Sequence, residues 1–445
     1  MTSNGIGNDE MQQRSRNRRH PNPAAAAAAA APPDNDPLEG ARRTFQELQD
    51  AGPPQPAVPE TYDPTMFEGL RDPPASVAAV LPPQDGSCSA ADLPPIYLMR
   101  RDNPDQAYAL CGKQPITLGH EPGWGHVLFA VVYRRTESST FEANSDAASP
   151  SYFQAPSPDD CEYVAIKQLN KDVVQKHLRK GGAENPYKEI ARMQELGDNI
   201  HVLQCIEALE DEHFIYIVTP KGSPGTLADA IPWFSRIERM EPQRVRKIFR
   251  QMLKILLYLE RHDICHRDLK PHNFLFLTPD HIVVFDLAMS LRVPRRTEHP
   301  RHRTLMDPKK GGFGTYIYMC NEVFRGDRIY DSVGSDLWSV AISLYNMLTS
   351  QTLYNIPHIT DISFQYFIVD RGLSSDSCNE LVTDLFTDPR LQGNAIDDLA
   401  SRATAHLSFP RAAMEVLGNL LVEDPRSRWT LAQVIESEYV NQPDE

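Results

Sequence analysis

The chain has 445 residues, enough for one large domain or two ordinary ones. Hydrophobic residues make up 41% of it, yet no run of 18 apolar residues occurs, so no membrane-spanning helix is expected. The formal net charge of −15 excludes the overall basic character typical of nucleic-acid-binding proteins. Seven cysteines without a C-x-x-C pair favour a reducing compartment. We expect the cytoplasm or the nucleus.

Many of the 37 prolines fall in the first 100 residues. Proline clusters such as Pro53–Pro56 cannot continue a helix or a strand ladder, and little apolar surface is present to offset the entropy of ordering. We therefore predict that residues 1–95 are disordered, with one short helix near Arg42–Gln49. A basic run at Arg14–Arg19 is more typical of a solvated arm than of a nuclear-import signal.

Alternating apolar residues predict a β-rich region from about residue 112 to residue 220. Val127–Val132 and Tyr163–Leu169 have the β-branched content of strands, and the polar segment Thr136–Asp160 between them predicts a surface insertion. A helix is predicted to begin after Asn185, with proline in its first turn, and to end at Gly197. Two further strands are predicted within 203–218.

Residues 221–441 have a mainly helical pattern. Arg244–Glu260 carries apolar residues at the 3.6-residue spacing of an amphipathic helix. Two short β-like runs follow, and helices are predicted at 336–348, 411–421 and 430–437. A small β-rich lobe followed by a larger helical lobe is an α+β arrangement.

The strongest motif is the octamer His266–Asn273. It matches the H-R-D-L-K-P-x-N catalytic loop at seven of eight positions, and the chain therefore resembles the eukaryotic protein kinase family of the Ser/Thr type. The resemblance implies that Asp268 orients a substrate hydroxyl and accepts its proton, and that Lys270 faces the transferred phosphoryl group. Asn273 would supply a neutral oxygen ligand for Mg²⁺.

Three more positions fit the same chemistry. Asp286 follows an apolar run, as the metal-binding aspartate of the D-F-G element does, although here the motif reads D-L-A. Ala288 in place of glycine would cost about 1–2 kcal/mol in any conformation with positive φ. Lys167 ends a V-A-I-K strand and would hold the α and β phosphates, with Glu189 on the next helix as its partner.

The phosphate-covering loop departs from the family pattern G-x-G-x-x-G-x-V. Gly125 and Val127 align with it, but His120 and Pro122 occupy the two earlier glycine positions, where they hinder close backbone approach. By itself this segment is equally typical of a plain turn. The resemblance implies an ATP site built from Gly119, Gly123, Gly125, Val127, Ala165, Lys167, Thr219, Lys221 and Leu275.

Other matches are structural or regulatory in the family. Glu322 is expected to pair with Arg428, and Asp336 is expected to hold the backbone of the catalytic loop. The activation segment, 286–322, carries a basic cluster that is as typical of a solvated loop as of a phosphate-binding surface. Arg267 is the expected phosphate ligand there and Thr304 the candidate acceptor, whereas Thr315 and Lys270 mark the Ser/Thr type.

The sequence thus predicts a two-lobed α+β protein-kinase fold over residues 112–441, with lobes at 112–220 and 221–441. The expected activity is transfer of phosphate from ATP, with Mg²⁺, to Ser or Thr of protein substrates. The alternative is a pseudokinase, a scaffold that binds partners without phosphotransfer. The expected partners are a protein substrate and a nucleotide, without nucleic acid or membrane insertion. Nothing in the pattern predicts an oligomeric state.

Overall fold

A computed structural model describes residues 74–80, 97–100, 106–110, 116–118, 123–135, 153–154, 162–222, 225–235, 238–293, 304–306, 314–327, 329–374, 376, 380–381 and 410–443. The strands are β1 Ala75–Val80, β2 Tyr97–Arg100, β3 Gln106–Leu110, β4 Ile116–Leu118, β5 Gly125–Arg135, β6 Phe153–Gln154, β7 Tyr163–Asn170, β8 Glu207–Glu210, β9 Phe214–Pro220, β10 Gly225–Thr226, β11 Ile264–Cys265, β12 Phe274–Thr278, β13 His281–Val284, β14 Leu291–Arg292, β15 Thr304–Met306 and β16 Ile329–Asp331. The α-helices are α1 Lys171–Arg179, α2 Pro186–Leu196, α3 Leu227–Ala230, α4 Pro242–Arg261, α5 Asn321–Phe324, α6 Ser332–Thr349, α7 Ile362–Phe364, α8 Arg411–Leu420, α9 Leu431–Glu436 and α10 Glu438–Asn441.

The sheet of the first lobe closes on itself. Among the described strands, β3, β2, β1, β8, β9, β7 and β5 follow one another in hydrogen-bonded order, and β3 also pairs with β5. The pairings are antiparallel except for β1 with β8, which is parallel. These seven strands therefore form a closed barrel. Each of them is hydrogen-bonded to two of the others, so none of the seven is an edge strand.

Alternation along β5 and β7 separates the barrel interior from the cleft. Ala130, Val164 and Ile166 are buried in a core that also contains Tyr108 and other apolar side chains of the barrel. Residues one position away point to the opposite face, as the pleat of a strand requires. Lys167 and Ala165 therefore share the face of β7 opposite the barrel core.

The first lobe begins earlier than the sequence predicted. Strand β1 lies at Ala75–Val80 and β2 at Tyr97–Arg100, so the predicted start at residue 112 is wrong, as is the prediction of disorder for β1. These segments gain order from pairing with distant strands, which local composition does not reveal. The predicted disorder of residues 1–73 and 81–95, and the predicted short helix, lie outside the described residues. Of the predicted insertion, only Phe153–Gln154 is described, as a strand paired with the end of β5.

Most other predicted elements are present. Helix α2 has Asn185 as its N-cap and Gly197 after its last residue, as the sequence predicted. Helix α4 buries one apolar face, and helix α6 is buried over nearly its whole length at the centre of the second lobe. Helix α1, on the polar sequence Lys171–Arg179, was not predicted. No helix among the described residues is long and apolar enough to cross a membrane.

Candidate active site

Asp336 holds the backbone of the catalytic loop. Its carboxylate accepts the N–H of His266 at 2.6 Å and that of Arg267 at 2.8 Å. Arg267 has φ +72°, a left-handed conformation that costs a non-glycine residue roughly 1–2 kcal/mol. Because Asp336 is buried on α6, the lobe's central helix, it can fix that strained residue in place. The sequence predicted this role for Asp336, that of holding the backbone of the catalytic loop.

The candidate base Asp268 has both carboxylate oxygens engaged. Lys270 Nζ donates to Oδ2 at 2.7 Å, and the amide nitrogen of Asn273 lies 3.3 Å from the same oxygen. Thr315 Oγ1 donates to Oδ1 at 3.0 Å and lies 2.8 Å from Lys270 Nζ. The catalytic loop and the end of the activation segment therefore meet at one carboxylate, which is almost fully buried.

The three groups expected around the phosphates come together across the cleft. Lys167 Nζ lies 2.8 Å from the Glu189 carboxylate and 3.2 Å from that of Asp286. Asp286 has φ +65° and ψ +63°, and the preceding carbonyl, that of Phe285, accepts a hydrogen bond from His266 Nε2 at 3.0 Å. The strained backbone directs the Asp286 carboxylate toward Lys167.

Burial and charge act in opposite directions on these groups. Burial alone would lower the pKa of Lys167, but the carboxylates of Asp286 and Glu189 outweigh it and raise that pKa. Burial raises the pKa of Glu189, an effect that Lys167 opposes. Burial also acts to raise the pKa of Asp286, but the charge and hydrogen bond of Lys167, together with the charges of His266 and Lys270, outweigh it and lower that pKa. Lys167 therefore remains a fixed cation at physiological pH.

The donor set suits a magnesium ion. Asn273 uses its amide nitrogen to hold the Asp268 carbonyl at 2.7 Å, which leaves its amide oxygen for a ligand. Asp286 adds one carboxylate. Mg²⁺ binds through one or two protein oxygens of this kind plus phosphate oxygens and water, so these two residues fit it.

The expected adenine pocket is formed by β5, β7, β9 and β12. Ala165 pairs with Thr219, whose hydroxyl lies 3.4 Å from the Ala165 carbonyl. A side chain at Gly222 would collide with Leu275, so the connection after β9 passes directly against that leucine. Val127 pairs with Lys167 on the neighbouring strand.

The Lys221 side chain packs against two aromatic rings, one on β5 and one on β7. Its ammonium group lies 5.3 Å from the ring centre of Phe129 and 5.1 Å from that of Tyr163. Such cation–π contacts hold the side chain against the strand surface.

The phosphate-covering turn is described from Gly123 onward, and Gly119 lies outside the described residues. Strands β4 and β5 are antiparallel and pair with Leu118 opposite Gly125. Gly123 has φ +79° and is exposed, a conformation suited to glycine. Gly125 is buried against β7, where an added Cβ would lie 2.1 Å from the Gln168 carbonyl oxygen.

Ala288 in place of glycine causes no strain. It lies in a 3₁₀ turn, Leu287–Met289, and is not among the described residues with positive φ. The expected conformational cost therefore does not arise in this state. Leu287 is fully buried as an apolar plug, and the Ala288 carbonyl accepts the N–H of Asn185, the N-cap of α2, at 3.2 Å.

The pair of Glu322 and Arg428 is buried and bidentate, with N–O distances of 2.5 and 2.8 Å. The guanidinium carbon lies 4.5 Å from the Trp338 ring centre. Asn321, which replaces the family's proline, accepts another hydrogen bond from Arg428 at 3.0 Å. The substitution thus strengthens the ion pair that the sequence predicted.

The structure describes only some of the residues of the activation segment, for which a regulatory role was predicted. Arg267 Nη1 lies 3.4 Å from the Met289 carbonyl, at the start of the activation segment. Thr304 lies on strand β15, opposite Asp331 on β16. Its role as a phosphate acceptor stays a prediction.

Sequence reasoning missed one charged residue at this site. Glu184 is half-buried in the connection between α1 and α2, and it interacts electrostatically with Lys167, Asp286, Asp268 and Lys270. Burial raises the pKa of its carboxyl group; Lys167 opposes this effect and Asp286 adds to it. The only signal in the sequence was its place just before the N-cap Asn185.

The fold and the arrangement of the site are those of the protein kinase family. A sequence model of the protein kinase domain matches residues 149–440, about two thirds of the chain. The chain belongs to the eukaryotic protein kinase family.

Curated relatives carry Ser/Thr kinase names. CBL-interacting serine/threonine-protein kinase 26 of Arabidopsis thaliana is 32% identical over 42% of this chain and 39% of that protein. MAP kinase-interacting serine/threonine-protein kinase 2 of Xenopus laevis is 25% identical over 57% of this chain and 52% of that protein. The chain spans about half or less of the length of these relatives. They support the Ser/Thr branch of the family.

Proposed function

We propose that this protein transfers the γ-phosphoryl group of ATP to serine or threonine hydroxyls of protein substrates. The observation that carries the proposal is the Asp268 carboxylate, held on one oxygen by Lys270 and on the other by Thr315. Such a carboxylate is oriented and cannot rotate freely, which is what positioning of an incoming hydroxyl requires. The Ser/Thr names of the relatives support the class of acceptor.

Each residue has a distinct task in this reaction. Asp268 orients the acceptor hydroxyl and takes its proton as the oxygen forms a bond to the γ-phosphorus, while the bond to the β–γ bridging oxygen breaks and ADP leaves. Lys270 places a positive charge beside the transferred group, and Lys167, fixed by Glu189, neutralises the remaining phosphates.

Asn273 and Asp286 would hold Mg²⁺, which when bound neutralises charge on the phosphate oxygens. A protein substrate and ATP are thus the proposed partners. The engagement of Thr315 with both Asp268 and Lys270 ties the activation segment to the base, so a peptide gripped by that segment would lie beside it.

A scaffold without phosphotransfer is the alternative. It is favoured by the phosphate-covering loop, where His120 and Pro122 occupy glycine positions. The geometry around Lys167, Glu189 and Asp286 favours catalysis, because a scaffold needs no such convergence.

Radiolabel transfer from ATP to a generic basic protein separates the two functions. Asp268→Asn keeps the shape of the side chain but cannot accept the proton, and we expect it to reduce the rate by ~10²–10⁴. Asp280→Asn is the matched control, because Asp280 is exposed on the β12–β13 turn. Equal, near-background transfer by wild type and Asp268→Asn would instead favour the scaffold.

A further inference from the structure

The phosphate-covering turn carries a buried tryptophan. Trp124 lies between Gly123 and Gly125, yet its side chain is only 2% exposed. Surface turns seldom bury so large a side chain, because their backbone runs over the surface. The indole belongs to the main hydrophobic core, whose members in this lobe include Leu169, Val174, Tyr187 and Ile190.

Trp124 joins the turn to α1 by two contacts. Its ring lies edge-on to the imidazole of His177, with 5.0 Å between the ring centres. Its carbonyl accepts the N–H of Asn170, the N-cap of α1, at 2.9 Å. Both the side chain and the backbone of Trp124 therefore fix the turn to the beginning and the last turn of one helix.

The same segment is fixed to the strand that carries Lys167. Gly125 pairs with Leu169 and lies so close to Gln168 that no side chain would fit. Tyr187 and Ile190, which share the core with Trp124, lie on α2 beside Glu189. Trp124 and Gly125 thus connect the turn to α1 and to β7, the strand that carries Lys167.

His120 and Pro122 stand at the two earlier glycine positions of the family pattern. We infer that Trp124 is a positioning residue that holds Gly123–Gly125 at the nucleotide site by anchoring this segment in the core of the first lobe. The inference rests on the proposed function, since it concerns the same nucleotide site.

The indole N–H distinguishes packing from hydrogen bonding as the source of the anchor. Trp124 Nε1 is buried and has no hydrogen-bond acceptor among the described residues. The anchor is therefore the apolar ring, and phenylalanine should replace it. Alanine should not, because the turn would then be ordered only when nucleotide binds, and that cost would appear in nucleotide affinity.

The test compares Trp124→Phe, Trp124→Leu and Trp124→Ala in the full chain. KM for ATP, kcat and the calorimetric Kd for Mg-ADP are measured, with Trp233→Phe as the control because Trp233 contacts Ala228 in the other lobe. We expect Trp124→Ala to raise KM and Kd roughly tenfold, the cost of ordering about one residue, with kcat within about twofold of wild type. Trp124→Phe should match wild type, and Trp124→Leu should lie between the two.

If Trp124→Ala does not fold, Trp124→Leu carries the test. Kd values for Mg-ADP that are unchanged in every folded variant would overturn the inference alone, as would a fall in kcat at constant KM. A wild-type protein that binds Mg-ADP but transfers no phosphate would contradict the proposed function, while the Kd series would still decide the role of Trp124. A wild type that binds no nucleotide would overturn both.

Discussion

Lys167 is the residue on which the electrostatic balance of the cleft depends. It is the cation that lies between Glu189 and Asp286, at 2.8 and 3.2 Å. The Glu189 side chain is buried, so its charge is tolerated because Lys167 neutralises it. Lys167 therefore contributes to folding as well as to the proposed nucleotide site.

Replacing Lys167 with Met should make stability strongly pH-dependent. Glu189 would stay buried and lose its cation, so its pKa would rise further above the unfolded value of about 4.3. The penalty is absent below that value and grows as the pH rises toward the folded pKa. We expect a loss of about 3–5 kcal/mol in the free energy of unfolding at pH 8, and a smaller loss at pH 5.

Denaturant unfolding at the two pH values measures this effect. The double variant Lys167→Met/Glu189→Gln is the control, because it removes the buried charge and should recover most of the stability at pH 8. A deficit that is the same at pH 5 and pH 8 would show that packing, rather than the buried carboxylate, causes the loss.

Single residues were predictable where the chemistry dictates a fixed motif. The octamer His266–Asn273 and the residues Lys167, Glu189 and Asp286 could be placed because they match motifs of the protein kinase family, in the order and spacing that the family shows. Glu184 could not, since its proximity to Lys167 depends on how the α1–α2 connection folds back on the cleft. Sequence spacing contains no information on that approach.

At the scale of elements, α2 and the D-L-A segment are directly bonded. The N–H of Asn185 donates to the carbonyl of Ala288 within the 3₁₀ turn Leu287–Met289, and Leu287 packs in the core beside it. This bond connects the helix that carries Glu189 to the segment that carries Asp286. The two elements are thus held together in the arrangement that suits catalysis.

Ala288→Gly should weaken this connection. Glycine gives the unfolded segment more conformations to lose, which costs roughly 0.5–1 kcal/mol, and it also makes left-handed states accessible. We expect faster hydrogen exchange at the amides of Asn185 and Ser290, both of which are bonded to this turn. Phosphotransfer should fall modestly, because the Asp286 carboxylate would be less well fixed.

Ala432→Gly is the control for Ala288→Gly, since Ala432 is exposed on α9 far along the chain. It should lower global stability by a comparable amount and leave exchange at Asn185 and Ser290 unchanged. If Ala288→Gly accelerates exchange no more than Ala432→Gly, the bond between the two elements does not restrain the segment.

Elements with strong periodicity were predictable, and those that depend on tertiary pairing were not. The apolar face of α4 and the alternation of β7 determine their structure locally. Strand β1, with the sequence Ala-Ser-Val-Ala-Ala-Val, follows prolines and has few β-branched residues. It becomes a strand because β2 and β8 flank it, which no local pattern reveals.

At the scale of the whole molecule, the closed barrel makes the first lobe depend on residues that precede the predicted domain. Strands β1–β3 cover the side of the sheet opposite the cleft, and Leu98 and Tyr108 are buried in the interior. Gln106 donates to the Tyr108 hydroxyl at 2.8 Å, and that hydroxyl donates to Glu207 on β8. The barrel wall that faces the cleft is therefore supported from behind by these strands.

Two truncations test this dependence. Removal of residues 1–73 deletes no described element, whereas removal of residues 1–111 deletes β1, β2 and β3 and exposes the barrel interior. Burial of Leu98 and Tyr108 contributes several kcal/mol between them, at about 1.5–3 kcal/mol for each large side chain. We expect the longer truncation to lower the melting temperature by roughly 10 °C relative to the shorter one and to promote association through the open edges of β5 and β8.

Thermal unfolding and light scattering of both truncated proteins at the same concentration would check this. Matching melting temperatures and scattering would mean that the lobe is stable without its closing strands and that the domain starts near residue 112 after all.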